Sequence, residues 1–180
     1  MQTEQLVPHP AHPPVELLGV TASVLALADG WLRLRWRLEG AGRLVVPPFA
    51  GKGRADGLWR TTCFELFVQP AGGQAYAEFN FSPSDRWAAY DFTGRRTGMR
   101  ERAVPRDPVC TMRRGGALAI FDLALPWVAV PAGECAVGLT AVIEEGGGTK
   151  SYWALVHGAE APDFHDPACF TASLAAREAT

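Results

Sequence analysis

The sequence lacks long apolar stretches and lacks an excess of charge of either sign. No apolar run approaches the roughly 20 residues that a membrane-spanning helix needs. The chain of 180 residues has 17 lysines and arginines against 19 aspartates and glutamates, for a formal net charge of -2. No overall field would therefore draw the protein to nucleic acid or to an anionic bilayer. We expect neither nucleic acid nor a membrane as a partner.

A secretion signal is also missing, because the first residues contain no basic segment followed by an apolar core. We therefore expect a cytoplasmic protein. The chain has four cysteines, Cys63, Cys110, Cys135 and Cys169, and none of them form a C-x-x-C pair. In a reducing compartment such cysteines are expected to be free thiols.

Familiar catalytic motifs are absent as well, since the sequence has no G-x-S-x-G, H-E-x-x-H or Walker motif. Apolar and polar residues instead alternate with a period of two. In Trp31 to Glu39 (WLRLRWRLE), this alternation places Trp36 on the apolar face. This pattern predicts an all-β fold, an antiparallel two-sheet β-sandwich. We expect residues 1–14 to be a flexible Pro-rich arm and residues 15–180 to be one ligand-binding domain.

The most informative stretch is a predicted hairpin over residues 61–82, with its turn at Pro70 to Gly73. A turn of even length places Glu65, Glu78 and Asn80 on one face of the sheet. A four-residue loop would put Glu65 opposite Glu78, and a two-residue Gly72-Gly73 loop would put it opposite Asn80. These side chains are either ordinary solvated residues or the polar lining of a binding site.

Two tryptophans bracket this hairpin, and each has an arginine beside it: Trp59 with Arg60, and Trp87 with Arg86. An indole near a strand end suits the flat apolar face of a sugar ring. The alternative is that these tryptophans belong to the core.

A polar cluster lies in the loop near the end of the chain: His157, Asp163, His165 and Asp166. These residue types are competent ligands for a transition metal, and the carboxylates for calcium. Their spacing matches no strong metal signature, so the alternative is a hydrogen-bonded loop anchor in which His165 braces the backbone.

The segments LWRTTCFELFV, YAEFNFSPSDRWAAYDF and SYWALVHGAEAPDFHDPACF resemble bacterial DOMON-like proteins, which are related to the family nine carbohydrate-binding modules. The resemblance covers roughly residues 15 to 174. It implies a two-sheet sandwich that binds a sugar or haem and has no catalytic activity. It also implies that Trp59 and Trp153 clamp the sugar, with Glu65 and Arg86 as polar ligand-binding residues.

We therefore expect a non-catalytic module for a carbohydrate or similar polyhydroxylated ligand, with no obligatory cofactor. Its predicted binding residues are Trp59, Arg60, Glu65, Glu78, Asn80, Arg86, Trp87 and Trp153. One alternative is a haem or other redox-cofactor module, with axial ligands among Met99, Met112, His157 and His165. Another is a glycoside-acting enzyme that uses Glu65 and Glu78 as acid and base.

Overall fold

A computed structural model describes residues 2–158 and 160–177, and these residues are organised mainly as β-strands. The strands are β1 (Gln2–Pro8), β2 (Gly19–Ala28), β3 (Trp31–Glu39), β4 (Gly53–Arg54), β5 (Cys63–Pro70), β6 (Tyr76–Phe81), β7 (Arg86–Phe92), β8 (Arg100–Glu101), β9 (Val109–Gly115), β10 (Leu118–Pro126), β11 (Gly133–Glu145), β12 (Thr149–Ala154) and β13 (Ala172–Arg177). Short 3₁₀ helices span Ala41–Arg43, Leu58–Arg60, Trp127–Ala129 and Pro167–Cys169. The all-β prediction is confirmed.

The strands form one continuous hydrogen-bonded path rather than the two separate sheets that the sequence led us to expect. Its order is β4-β7-β6-β5-β11-β12-β1-β2-β3-β10-β9, with β13 beside β11 and β8 beside β7. Strand β4 is parallel to β7, and the other pairs are antiparallel. Strand β1 joins the two halves of the path because it pairs with β12 through Val7 and Pro8 and with β2 through Gln2–Leu6.

The prediction of a flexible arm is wrong for Gln2–Pro8, which is strand β1. Leu6 is buried in the main core, and the Gln5 side-chain amide donates to the carbonyl of Val20. The proline content of residues 1–14 was misleading because the first proline, Pro8, ends the strand instead of interrupting it. The remaining prolines follow the strand.

The main core lies where the two halves of the curled path face each other. Trp36 of β3, Phe64 of β5 and Phe121 of β10 are all fully buried there, and the Phe64 and Phe121 rings stack with centroids 4.3 Å apart. Burying one such side chain contributes about 1.5–3 kcal/mol. The prediction that Trp36 is a core residue is confirmed.

The β5–β6 hairpin has the register expected for a turn centred on Gly72-Gly73, with Glu65 opposite Asn80. Gly72 has a φ of 85°, a backbone conformation that suits glycine. Ala77, Phe79 and Phe81 face the main core, while Tyr76 belongs to a second apolar cluster on the other side of the hairpin. The prediction that Glu65, Glu78 and Asn80 share a face is confirmed.

All four cysteines are free thiols, as predicted. Cys63, Cys135 and Cys169 are buried, and Cys110 is partly buried. Within residues 2–158 and 160–177, no helix has the length and apolar character needed to cross a bilayer.

Candidate functional site

A cavity of about 950 Å³ opens on the polar face of the β5–β6 hairpin. Strands β5, β6, β7, β11 and β12 supply its floor, and residues 56–60, 96–101 and 162–165 supply its rim. We call this cavity the cup. Its volume falls within the range of about 300–1,000 Å³ that is typical of small-molecule sites.

Two buried carboxyl groups lie on the floor of the cup. Glu65 is 3% exposed and Glu78 is 6% exposed. Burial, with the nearby Glu78 charge, raises the pKa of Glu65 to about 8, although the Thr140 hydroxyl donates to Glu65 across 3.1 Å. Burial also raises the pKa of Glu78. Removal from water therefore disfavours the ionised form of both groups.

Asn80 lies beside them with one half of its amide satisfied. Its side-chain nitrogen donates to Oε1 of Glu78 across 2.6 Å. Its Oδ1 atom has no hydrogen-bond partner among the described residues, although Asn80 is only 2% exposed. An unsatisfied buried acceptor costs about 1–3 kcal/mol. A donor group on a ligand in the cup would remove that cost.

A chain of polar contacts connects Glu78 to the rim through His165. The backbone N–H of Arg96 donates to the Tyr76 hydroxyl, and that hydroxyl also shares a hydrogen bond of 2.6 Å with Nδ1 of His165. The other ring nitrogen, Nε2, lies 3.7 Å from Oε2 of Glu78. Burial, with the nearby Arg96 charge, lowers the pKa of His165 to about 4. His165 is therefore a neutral imidazole at neutral pH.

Asp163 fastens two rim loops together. Its carboxylate accepts hydrogen bonds from Arg95 at 2.6 Å and Arg96 at 2.9 Å, and also from the backbone N–H of His165. Burial tends to raise the pKa of Asp163, but the two arginines outweigh burial and lower it. Residues 93–98 and 160–166 are thereby held over one side of the cup.

Aromatic rings supply the rest of the lining. Trp59 lies on the rim in the 3₁₀ helix Leu58–Arg60 and is 52% exposed, with the Arg60 guanidinium 5.8 Å from its ring centroid. Tyr90, Tyr152 and Phe67 form parts of the wall and floor. The cup thus joins apolar ring faces to buried hydrogen-bonding groups, a composition common to small-molecule pockets.

Five of the predicted binding residues line this one cavity: Trp59, Arg60, Glu65, Glu78 and Asn80. Trp153, the expected second clamp, does not. It lies opposite Ala141 on the core face of β12, is 2% exposed, and donates its indole N–H to the Ser151 hydroxyl. The neighbouring residue, Tyr152, lies opposite Val142 and lines the cup instead.

Trp87 and Arg86 are also outside the cup. Trp87 lies opposite Phe81, so it faces the core, and its indole N–H donates to Asp107. Arg86 donates to the carbonyl of Ala50 across 2.5 Å. The predictions of ligand contact for Arg86, Trp87 and Trp153 therefore disagree with the geometry of the cup. Trp87 and Trp153 face the main core, and Arg86 is bonded to a neighbouring loop at the start of β7.

Sequence reasoning missed other lining residues. Tyr90 lies directly opposite Glu78, so alternation along β7 was a sufficient signal for it. Its hydroxyl donates to Asp56, and burial together with that contact raises the pKa of Tyr90. Arg96 and His12 reach the cup from distant loops, and no local pattern indicates this.

The four metal-ligand candidates near the end of the chain do not form one cluster. His157 bonds through Nε2 to the carbonyl of Val7, and Asp166 accepts from the backbone N–H of Ala168 at the start of a 3₁₀ helix. Asp163 is taken by arginines, while His165 lines the cup. Across the part of the chain that the structure describes, no three His, Cys, Asp or Glu residues are grouped to hold a metal.

The residues of the cup do not fit haem. Met99 and His165 both line the cup, but Nδ1 of His165 is used in the hydrogen bond with Tyr76 and Nε2 lies 3.7 Å from the buried Glu78 carboxyl group. Met112 lies on β9, where it packs against the main core. Buried carboxyl groups are also a poor floor for a large apolar macrocycle.

The all-β fold of this chain is shared with a solved structure. The chain is similar to the crystal structure of a "putative carbohydrate-binding protein" from Bacteroides uniformis ATCC 8492. The TM-score is 0.64 at 17% sequence identity, over 94% of this chain and 84% of that one. At this identity the likeness concerns the fold. No family model and no curated protein matches the sequence.

Proposed function

We propose that this protein is a non-catalytic binding module that holds a carbohydrate, or a similarly hydroxylated small ligand, in the cup. One observation carries the proposal: the buried Oδ1 atom of Asn80 has no partner among the described residues, in a cavity whose rim bears the exposed ring of Trp59. The fold shared with the Bacteroides protein, whose description names carbohydrate binding, supports it. Membership of the DOMON-like group is part of the same proposal.

The chemistry of the cup suits a sugar in two ways. Sugar hydroxyls are donors, so one of them would satisfy Oδ1 of Asn80 while Glu65 and Glu78 orient others. The apolar face of the sugar ring would lie against Trp59, whose exposed indole is otherwise in contact with water. A cavity of about 950 Å³ is large enough for a mono- or disaccharide.

The placement of the two glutamates differs from that of a retaining glycosidase, whose two carboxyl groups are about 5–5.5 Å apart. Glu65 is opposite Asn80 rather than Glu78, so the two glutamates are diagonal neighbours across the hairpin, roughly 7–8 Å apart. That spacing falls within the range of an inverting glycosidase. Recovery of unchanged sugar is therefore the measurement that separates binding from hydrolysis.

The proposal is tested by titrating the protein with a panel of neutral mono- and disaccharides and following tryptophan fluorescence and heat. We expect saturable binding by at least one sugar, with no change in the sugar recovered afterwards. Asn80→Ala and Trp59→Ala should weaken it, and Trp59→Phe should restore part of it because a ring is retained. Release of a hydrolysed sugar would contradict the non-catalytic assignment, and unchanged binding by Asn80→Ala would remove the site.

A further inference from the structure

Among the described residues, no lysine or arginine pairs directly with the two carboxyl groups of the cup. The ion-pairing contact there is the one between Glu78 and His165, which is neutral at neutral pH. Arg96 also lines the cup and its charge lowers the pKa of both glutamates, but its guanidinium binds Asp163. The other arginines of the rim have contacts elsewhere, since Arg100 pairs with Asp91 at 3.4 Å and Arg60 lies against the Trp59 ring. The two carboxyl groups therefore have no directly bonded cation in the part of the chain that the structure describes.

We propose that the ligand is an amino sugar, with its protonated amine between Glu65 and Glu78 and its ring against Trp59. This inference rests on the proposed function and narrows it to a class of ligand. It stands on the placement of three acceptors: two buried carboxyl groups and the unpartnered Oδ1 of Asn80 line the same cavity from two adjacent strands.

An alkylammonium group matches these acceptors in number and in charge. It has three N–H donors and no acceptor, so it can give one hydrogen bond each to Glu65, Glu78 and Asn80. Hydrogen bonds between an ammonium and a carboxylate are stronger than those between neutral groups. A neutral hydroxyl has one donor and brings no charge, so it would leave both carboxyl groups with their raised pKa, whereas an ammonium beside them would favour their ionised form.

The walls of the cup add to the case for an organic cation. Tyr90, Tyr152 and Phe67 present aromatic rings to the cavity, and aromatic faces attract cations. A bare divalent ion is the competing occupant of a carboxylate pair. Calcium takes six to eight oxygen ligands and gains nothing from apolar walls, whereas Phe67 and Val142 form part of this floor.

The test measures affinity by calorimetry at pH 7 for D-glucosamine, N-acetyl-D-glucosamine and D-glucose. The corresponding β-1,4-linked disaccharides, with an amine, an N-acetyl or a hydroxyl group at the same positions, are measured in the same way. Calcium chloride alone is a fourth probe. We expect the amine to bind at least tenfold more tightly than its N-acetylated or hydroxyl counterpart. Glu65→Gln and Glu78→Gln should each weaken binding of the amine at least tenfold more than they weaken binding of the neutral sugars, so that the preference for the amine is lost.

Glu134→Gln is the matched control, because Glu134 is an exposed carboxylate on β11 outside the cup and should keep the preference. Thermal unfolding of each variant confirms that it is folded, and the two glutamine variants are independent of each other. Neutral sugars that bind as tightly as the amine would overturn the inference and leave the proposed function intact. Failure of every sugar would overturn both. Calcium binding that depends on Glu65 would assign the carboxyl groups to a metal and overturn the inference.

Discussion

The two faces of the β5–β6 hairpin are almost equally hidden from solvent and chemically opposite. On one face Phe64, Phe79 and Phe81 are fully buried in the main core. On the other face Glu65 and Asn80 are nearly as inaccessible, yet they line a cavity and retain polar atoms without full partners. Low exposure therefore does not distinguish packing from a site. An unpartnered polar atom alone does not either, because Nε1 of Trp36 in the main core lacks a partner among the described residues, as Oδ1 of Asn80 does. The polar face is distinguished by its cavity and by the two buried carboxyl groups that line it.

The difference arises from what covers each face. The apolar face meets strands β3 and β10, whose side chains interlock with it, as the contact of Phe64 with Trp36 and Phe121 shows. The polar face is covered by loops that Asp163 holds together through Arg95 and Arg96. The loops do not pack into the polar face as the strand side chains pack into the apolar face. A cavity therefore remains above the polar face.

The largest expected effect comes from breaking the core. Trp36→Ala should lower the free energy of unfolding by about 3–5 kcal/mol, because it deletes a fully buried indole that packs against Phe64 and Phe121. Chemical denaturation followed by circular dichroism measures this. A loss below about 1 kcal/mol would show that Trp36 is wrongly assigned to the core.

A matched tryptophan on the cup should behave in the opposite way. Trp59→Ala removes a half-exposed ring, so we expect stability to change by no more than about 0.5 kcal/mol. Binding of the best sugar should weaken by about 1–3 kcal/mol, the scale of a lost apolar contact. Denaturation and calorimetry on the same sample give both numbers. If this variant unfolds as readily as Trp36→Ala, Trp59 is a packing residue.

Stability should also respond to pH through the polar face. The pKa of Glu65 is about 8 in the folded protein and about 4.3 in an unfolded chain, so the folded state binds more protons between these values. Stability is then highest below the unfolded value and falls as pH rises toward 8. His165 has the opposite effect below pH 6.5, because its folded pKa is about 4.

The clean interval is therefore pH 6.5 to 8, where we expect unfolding free energy to fall by up to about 1.4 kcal/mol per pH unit. Denaturant melts at several pH values measure the slope. Glu65→Gln should flatten it, and Glu134→Gln should leave it unchanged. A slope that Glu65→Gln does not alter would mean that Glu65 is ionised in the folded protein near neutral pH.

The smallest effect should come from loosening the cover. Asp163→Asn removes the ion pairs with Arg95 and Arg96, whose side chains are largely exposed, so we expect a loss of about 0.2–1 kcal/mol. The difference from the natural protein should shrink in high salt, because solvent screens exposed pairs. Arg33→Gln is a control for general loss of a charge, because Arg33 is exposed on β3 and does not line the cup. A loss above about 2 kcal/mol would make the cover a structural part of the fold.

The sequence predicted the parts of this molecule that depend on local alternation. The core position of Trp36 and the common face of Glu65, Glu78 and Asn80 follow from period two and an even turn. The same rule, applied to β12, would have placed Tyr152 in the cup and Trp153 in the core. The resemblance to known modules assigned the clamp role to Trp153, although the residue of β12 that faces the cup is its neighbour Tyr152.

The remaining features depend on contacts between distant segments. Arg96 and His165 meet at the cup although about 70 residues separate them, and their positions follow from the ion pairs of Asp163 rather than from any local pattern. The strand at Gln2–Pro8 was hidden for the same reason, since it is defined by partners in β2 and β12. Local sequence patterns indicate neither distant ion-pair partners nor distant strand partners.

The position of β1 in the middle of the strand path has a consequence for the order of events during synthesis. One of its partners, β2, follows it closely in the chain, but Val7 pairs with Ala154, which the ribosome adds about 150 residues later. Until then the growing chain carries an open strand edge, the type of surface on which chains pair with one another and aggregate. The first strand made is thus among the last to be enclosed, and a chain shortened by removal of Gln2–Pro8 would keep two open edges permanently.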